Sequence, residues 1–121
     1  MEELQIIKNF YESTDKGSVK WIRVVKNTSD PKLNSVYRCD FVQGEHIEIA
    51  PTKYLDANQF SYKYSFRLSF YDSNNYCYKN ISPKSGEALS AELSKLYDLI
   101  EGKIANLDEK LNLFFNNKIN K

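Results

Sequence analysis

The chain is poor in the residues that most often reveal a chemistry. Its 121 residues include one His, two Cys, three Pro and four Gly. So few glycines leave no phosphate-cradling loop, and no G-x-S-x-G nucleophile elbow occurs. A metal site needs three or four ligands, and no further His or Cys stands at a spacing that would support the single His. We therefore assign no catalytic residue, no metal ligand and no cofactor from the sequence, although an enzyme is not excluded.

The chain also lacks a charge excess of one sign and a long apolar run. Its formal net charge is +1, which gives no electrostatic reason to expect binding to a nucleic acid polymer or a membrane. No stretch approaches the ~20 apolar residues of a membrane span, and the acidic start does not resemble a secretory signal. We expect a cytoplasmic protein in which Cys39 and Cys77 are buried hydrophobic residues and do not form a disulfide.

The most informative stretch is an alternation over residues 59–72, QFSYKYSFRLSFYD. Because a β-strand sends alternate side chains to opposite faces, this pattern predicts a long strand with one buried and one wet face. We expect this strand to be central in its sheet and bent or bulged partway. Its predicted inner set is Phe60, Tyr62, Tyr64, Phe66, Leu68 and Phe70.

Shorter elements are predicted around this strand. Residues 2–15 carry an amphipathic stripe typical of a helix, which Gly17 would end. Residues 51–58 read as a loop. Trp21 is expected to point inward, because so large a ring contributes most when it is buried. Short turns between strands favour an antiparallel meander. The other predicted strands are 18–26, 35–42, 46–50 and 76–81.

From residue 85 onward the apolar residues recur every three or four positions, which predicts helix. One alternative is an unbroken helix with a coiled-coil seam. The other is two helices, and we favour it because Gly102 is typical of a helix end and residues 106–109 have the form of a capping box.

The predicted fold class is α+β, in the order α-β-β-β-β-β-α(α). We expect one domain with an N-terminal helix over residues 1–16 and a five-stranded antiparallel meander sheet over residues 18–81. A long or broken helical segment follows over residues 85–118, and the helices pack on the aromatic face of the sheet.

A resemblance rests on the motifs of the C-terminal segment, LYDLI at 96–100 and NLDEKL at 106–111. Together with the Trp21 strand and the long strand ending at Asp72, they resemble a loose family of small, uncharacterised, stand-alone α+β proteins of bacteria and their mobile elements. The resemblance implies the fold, including a broken C-terminal helix, and carries no activity or site residue.

Arginine placement is the most suggestive functional signal. The chain has three Arg against fourteen Lys, and Arg23, Arg38 and Arg67 all fall in predicted strands. The planar guanidinium group suits carboxylate or phosphate. If their outer faces coincide, Arg38, Lys63, Arg67 and Tyr71 form a basic surface with an aromatic element, suited to a nucleotide or an acidic peptide.

The alternative is that the arginines pair with acids across strands and merely keep the open face soluble. The candidate acidic partners are Asp40, Glu48 and Asp72. His46 and Glu48 lie two residues apart on a predicted strand, and we interpret them as neighbouring surface residues.

Three functions remain open. The first is a non-enzymatic, oligomeric binding protein that captures a small anionic ligand or a protein partner. A phage or mobile-element protein that sequesters a host nucleotide signal is one such case, and the Lys-, Asn-, Ile- and Tyr-rich composition, typical of an AT-rich genome, fits it. The second is a structural or adaptor module acting through its C-terminal helices. The third is a small enzyme that uses His46.

The C-terminal segment has more large apolar residues than one sheet face needs. Surplus apolar surface is usually buried against a partner, most often a second copy, so we expect a homo-oligomer. The alternative is that residues 106–117 fold back over their own domain. The predicted interface residues are Leu107, Leu111, Phe114 and Phe115.

Overall fold

Two strands of eleven residues, β3 (His46–Asp56) and β4 (Ser61–Tyr71), pair antiparallel along their whole length and form the backbone of the sheet. The structure is a computed structural model that describes residues 1–119, with only the backbone described at positions 107, 118 and 119. The other strands are β1 (Ile22–Val25), β2 (Ser35–Asp40) and β5 (Cys77–Ile81), and the helices are α1 (Glu3–Asp15), α2 (Ala88–Ala105) and α3 (Leu107–Ile119).

The five strands pair in chain order, β1-β2-β3-β4-β5, with every pair antiparallel. This meander and the order of the helices confirm the predicted α+β fold. The position of the long strand was predicted wrongly: β3 is central, and β4 lies between β3 and the edge strand β5.

The predicted loop at residues 51–58 is also wrong, because β3 continues through Pro51 to Asp56. Proline looks like a strand breaker, since it lacks the N–H of the ladder. β2, however, pairs with β3 only as far as Ile49. Beyond that point β3 is an edge strand, and an edge is where a sheet tolerates Pro. Residues 53–64 therefore form a two-stranded arm that extends past the rest of the sheet.

The core lies between one face of the sheet and helices α1 and α2. Leu68 is fully buried and Phe70 is 7% exposed, so the inner face of β4 is as predicted near its C-terminal end. Trp21 is buried before the start of β1, and its Nε1 donates to Thr14 Oγ1 of α1 over 3.0 Å. The side chains packed there include Ile7, Tyr37, Cys39, Ile47, Ile49, Ile81, Leu93, Leu96, Tyr97 and Ile100.

The predicted inner set fails at the other end of β4. Phe60 is 89% exposed, Tyr62 63% and Tyr64 36%, because they belong to the arm and its turn, outside the core cluster. Phe66 is half-buried against Tyr97 of α2, with ring centroids 4.9 Å apart. The strand alternates as the sequence indicates, but the core covers only part of its length.

Not every side chain on the opposite face of β4 is exposed to solvent. Ser65 is 2% exposed, and its hydroxyl bonds to the carbonyl of Pro83 and the hydroxyl of Ser90, each over 2.7 Å. Ser85 N donates to Tyr54 Oη nearby. β5 pairs only with residues 68–71 of β4, so the segment that follows β5 takes the place of a neighbouring strand here. The two cysteines also differ, since Cys39 is buried as predicted and Cys77 is exposed and free.

The C-terminal helical segment is broken at Asn106. This residue has a left-handed backbone, φ 39° and ψ 51°, and its side-chain amide donates to Glu109 Oε2. Gly102, the expected helix end, lies inside α2 instead. Within residues 1–119 no helix combines the length and the apolar composition needed to cross a bilayer.

Candidate functional site

The candidate site lies on the sheet face opposite the helices. Partners in an antiparallel ladder project to the same side, and the register pairs Arg38 with Glu48, Glu48 with Ser69, and His46 with Tyr71. Their chain neighbours, among them Cys39, Ile47 and Phe70, fill the core on the other side. We call this cluster the outer-face site, and it comprises Arg38 of β2, His46 and Glu48 of β3, and Arg67, Ser69 and Tyr71 of β4.

The middle of the outer-face site is buried although it lies on the open face. His46 is 5% exposed, Glu48 8% and Ser69 1%. The imidazole of His46 stacks on the ring of Tyr71 with centroids 4.7 Å apart, and its Nε2 lies 4.0 Å from Glu48 Oε1. The interpretation of His46 and Glu48 as surface residues was therefore wrong. Large side chains on both flanking strands, Arg38 and Tyr71, shield them.

Arg67 extends along β4 toward Tyr71. Its Nη1 donates to Ser69 Oγ over 2.7 Å and makes a longer contact of 3.5 Å with Tyr71 Oη. Ser69 in turn donates its hydroxyl proton to Asn80 of β5 over 2.9 Å. All of these partners are neutral, so they fix the direction of the guanidinium group without compensating its charge.

Neither arginine of the site is paired with an acid. In the part of the chain that the structure describes, no carboxylate oxygen lies within 4.0 Å of the guanidinium group of Arg38 or Arg67. Glu48 is opposite Arg38 in the ladder but is close only to His46. Asp72 instead accepts hydrogen bonds from the backbone N–H groups of residues 74 and 76. The alternative in which these two arginines pair with acids across strands is thus not what the structure contains.

A hollow of about 290 Å³ opens over this cluster. Two cationic side chains and one carboxylate line it, together with the stacked pair of rings. This volume is at the lower end of the range for small-molecule sites. The lining residues are Lys26, Arg38, His46, Glu48, Tyr71 and Asn75.

Two larger hollows occur elsewhere, but their charged side chains are less suited to binding a ligand. One of about 410 Å³ lies between α1 and α2 beside Trp21 and Ile104. Its Lys103 ammonium already donates to the carbonyl of Asp15 over 2.9 Å. Another, of about 570 Å³, lies beside Tyr37 and Glu101, where the phenol donates to the carboxylate over 3.1 Å. The second hollow also has an arginine, Arg23, without an acidic partner in the described part of the chain. Its side chain is exposed and donates to Ser35 Oγ over 2.9 Å, whereas Arg38 at the outer-face hollow is half-buried.

The sequence-based site is thus partly assembled. Arg38 and Tyr71 line the same hollow, and Arg67 contacts the hydroxyl of Tyr71 without lining that hollow. Lys63 does not join them. Its ammonium pairs with Asp56 over 3.0 Å on the arm, eight residues or roughly 26 Å along β4 from Tyr71. The sequence analysis missed His46, Glu48 and Ser69 as members of the site, since membership depends on register that no local pattern reports.

Few side chains of the outer-face site could bind a metal ion or transfer a proton. Among residues 1–119 no group of three or more His, Cys, Asp and Glu side chains could hold a metal ion. His46 and Glu48 are a pair of ionisable groups 4.0 Å apart that line the same hollow as Arg38.

The predicted interface is also exposed. Leu111 is 40% exposed, Phe114 53% and Phe115 52%, so residues 106–117 do not fold back to bury them. The side chain of Leu107 lies outside the described part of the chain.

Comparison of the chain with protein-family models, with curated proteins and with solved structures found no match to any of them.

Proposed function

We propose that the chain is a binding protein for a small anionic ligand, and that the ligand occupies the outer-face site. The observation that carries the proposal is the pair of half-buried arginines, Arg38 and Arg67, without an acidic partner in the described structure. A partly desolvated guanidinium group gains most from an anion that accepts two parallel hydrogen bonds. Phosphate and carboxylate have that geometry.

The rest of the site favours a ligand with more than an anionic group. Glu48 would repel a bare anion but accepts hydrogen bonds from N–H donors. Tyr71 offers a ring held in place by its stack on His46, and planar rings bind well to such surfaces. A nucleotide combines a phosphate, a planar ring and N–H donors, so it matches the site better than inorganic phosphate does.

A sequestering role, in which the protein holds a nucleotide signal without turning it over, is consistent with this proposal. The Lys-, Asn-, Ile- and Tyr-rich composition supports placing such a protein in a phage or mobile element.

The test is a thermal-shift screen at low salt with mono-, di- and cyclic nucleotides, inorganic phosphate and an acidic peptide, followed by calorimetry on the hits. We expect a nucleotide to raise the melting temperature of the wild-type protein and to leave that of Arg38→Ala nearly unchanged. A screen in which no nucleotide binds, or in which Arg38→Ala binds as tightly as wild type, contradicts the proposal.

The pair of His46 and Glu48 supports a second candidate, a small enzyme acting on the same anion. A carboxylate beside an imidazole can orient it for proton transfer. Incubating each binding nucleotide with the protein and analysing the mixture by chromatography separates the two candidates. Turnover that His46→Gln abolishes, while binding persists, would favour the enzyme; an unchanged ligand favours capture alone.

A further inference from the structure

Glu48 is a nearly buried carboxylate in the wall of the outer-face hollow. The residue is 8% exposed and lines that hollow. Its ionic contact is with His46 Nε2, which lies 4.0 Å from Oε1, too far for a hydrogen bond. Within residues 1–119 the oxygens of Glu48 therefore accept no hydrogen bond from the protein.

Both cross-strand neighbours leave this carboxylate without a donor. On β2, Arg38 is directly opposite Glu48, but in the described part of the chain no carboxylate oxygen lies within 4.0 Å of its guanidinium group. On β4, the neighbour is Ser69, which donates its hydroxyl proton to Asn80 of β5 over 2.9 Å. The sheet thus supplies Glu48 with no hydrogen-bond donor of its own.

A carboxylate in this position selects among ligands. A ligand that fills a hollow displaces water from its walls, and a polar group that loses water without gaining a partner costs free energy. The two oxygens of a carboxylate are spaced to accept two parallel hydrogen bonds, as they do from the arginine fork. A ligand seated against Glu48 therefore binds best when it presents two adjacent N–H donors.

Among the common nucleobases, guanine has this arrangement. Its ring N1–H and its N2 amino group are adjacent donors on one edge. Adenine and cytosine each place an acceptor ring nitrogen beside their amino group, and uracil places a carbonyl oxygen on either side of its N–H. An acceptor held against a carboxylate is repelled and leaves the carboxylate unpaired, which is the situation in which a polar site discriminates most strongly.

We propose that Glu48 is the specificity-determining residue of the outer-face site and that it selects a guanine nucleotide. The inference rests on the proposed function, since it takes the ligand to be a nucleotide whose phosphate is bound by arginine. Lys26 and Arg38 line the same hollow as Glu48. With the carboxylate bonded to the base, these two cations remain for the phosphate.

The first test compares ligands on the wild-type chain and needs no variant. Guanosine, adenosine and inosine monophosphates carry the same ribose and phosphate and differ only in the base. By isothermal titration calorimetry, the guanine nucleotide should bind about tenfold or more tightly than the adenine nucleotide. The inosine nucleotide keeps the N1–H and lacks the amino group, so its affinity should lie between the two.

The second test changes the protein. Glu48→Gln replaces two acceptors with one acceptor and one donor, which matches N1 and the amino group of adenine. The guanine-to-adenine affinity ratio should therefore fall by about tenfold or more. Loss of the negative charge strengthens the binding of both phosphates alike, and that effect cancels in the ratio.

Asp40→Asn is the matched control for Glu48→Gln. Asp40 is exposed, and it lies opposite His46 in the β2–β3 ladder, on the same face of the sheet but outside the lining of the hollow. The substitution removes the same charge and should leave the affinity ratio unchanged. Thermal melting checks that both variants are folded.

The outcomes separate this inference from the proposed function. If the nucleotides bind wild type with equal affinity and Arg38→Ala abolishes their binding, the proposed function stands and the role of Glu48 is overturned. A ratio that Glu48→Gln leaves unchanged, or that Asp40→Asn lowers equally, also overturns it. If none of the three nucleotides binds the wild-type chain, the proposed function fails and the inference fails with it.

Discussion

The imidazole of His46 lies flat against the phenol ring of Tyr71, with a centroid distance of 4.7 Å and an interplanar angle of 7°. The two residues face each other directly across the β3–β4 ladder, although 25 positions separate them in the chain. The hydroxyl of Tyr71 also lies 3.5 Å from the guanidinium group of Arg67. Tyr71 therefore connects the buried imidazole to one of the two arginines.

This connection predicts different outcomes for two substitutions of Tyr71. Tyr71→Phe keeps the ring stack and loses a 3.5 Å contact, so unfolding in urea should show a change within about 0.5 kcal/mol. Tyr71→Ala uncovers His46 and removes the ring surface, and should weaken nucleotide binding by about tenfold or more. Equal affinities for Tyr71→Ala and wild type would show that the ring is not part of the ligand site.

The second prediction concerns the chemistry of Arg67. Its fork is already directed by Ser69, so it is pre-organised for a bidentate contact with phosphate. Arg67→Ala should weaken nucleotide binding by about tenfold or more, and Arg67→Lys should not fully restore it, because an ammonium group lacks the planar fork. Isothermal titration calorimetry measures both.

Lys63→Ala is the control for that series. Lys63 lies on the same strand face and has the same charge, but its partner is Asp56 on the arm. Its removal should leave the affinity unchanged. If Lys63→Ala and Arg67→Ala weaken binding equally, the effect is one of overall charge and not of a defined site.

The third prediction concerns the core and tests how far along β4 it extends. Leu68 is fully buried, whereas Phe60 is 89% exposed and has a left-handed backbone with φ 50°. Leu68→Ala should reduce the free energy of unfolding by about 2–5 kcal/mol. Phe60→Ala should change it by about 0.5 kcal/mol or less. Chemical denaturation of both variants checks this, and comparable losses would mean that the ring of Phe60 is packed against the domain.

The sequence predicted the fold well because local patterns specify local structure. The alternation of β4 and the helical periodicity after residue 85 identify their elements without any knowledge of their neighbours. The same patterns could not show that the core covers only the C-terminal half of β4 and leaves Tyr64 exposed. Aromatic residues alternate in the same way on a strand that helices cover and on an exposed arm.

The candidate site was harder to predict, because it depends on register. Arg38 and Arg67 could be predicted as ligand-binding residues because arginine suits phosphate and carboxylate, and residue type is read directly from the sequence. His46 looked like a surface residue, since its only local neighbour of interest is Glu48. Its burial comes from Tyr71, and that contact exists only because the β3–β4 ladder pairs them. Likewise, Lys63 has the right charge and face but the wrong position along the strand.

The last prediction concerns alkaline pH and the phenol of Tyr37. Burial and the hydrogen bond to Glu101 raise the pKa of Tyr37 from 10.0 to about 12. A raised pKa means that the folded chain holds this proton more tightly than the unfolded chain does. The resulting stability is complete below pH 10, declines as the pH rises, and is lost by the time the pH passes about 12.

Tyr37→Phe isolates this contribution. It removes the hydrogen bond to Glu101, so near neutral pH the variant should be less stable than wild type by about 1 kcal/mol. Because wild type loses the same contribution as Tyr37 ionises, the difference should shrink between pH 10 and about 12. Urea denaturation at a series of pH values measures it, with Tyr76→Phe, at an exposed position, as the control. A difference that stays constant through this window would show that Tyr37 ionises alike in the folded and unfolded chains.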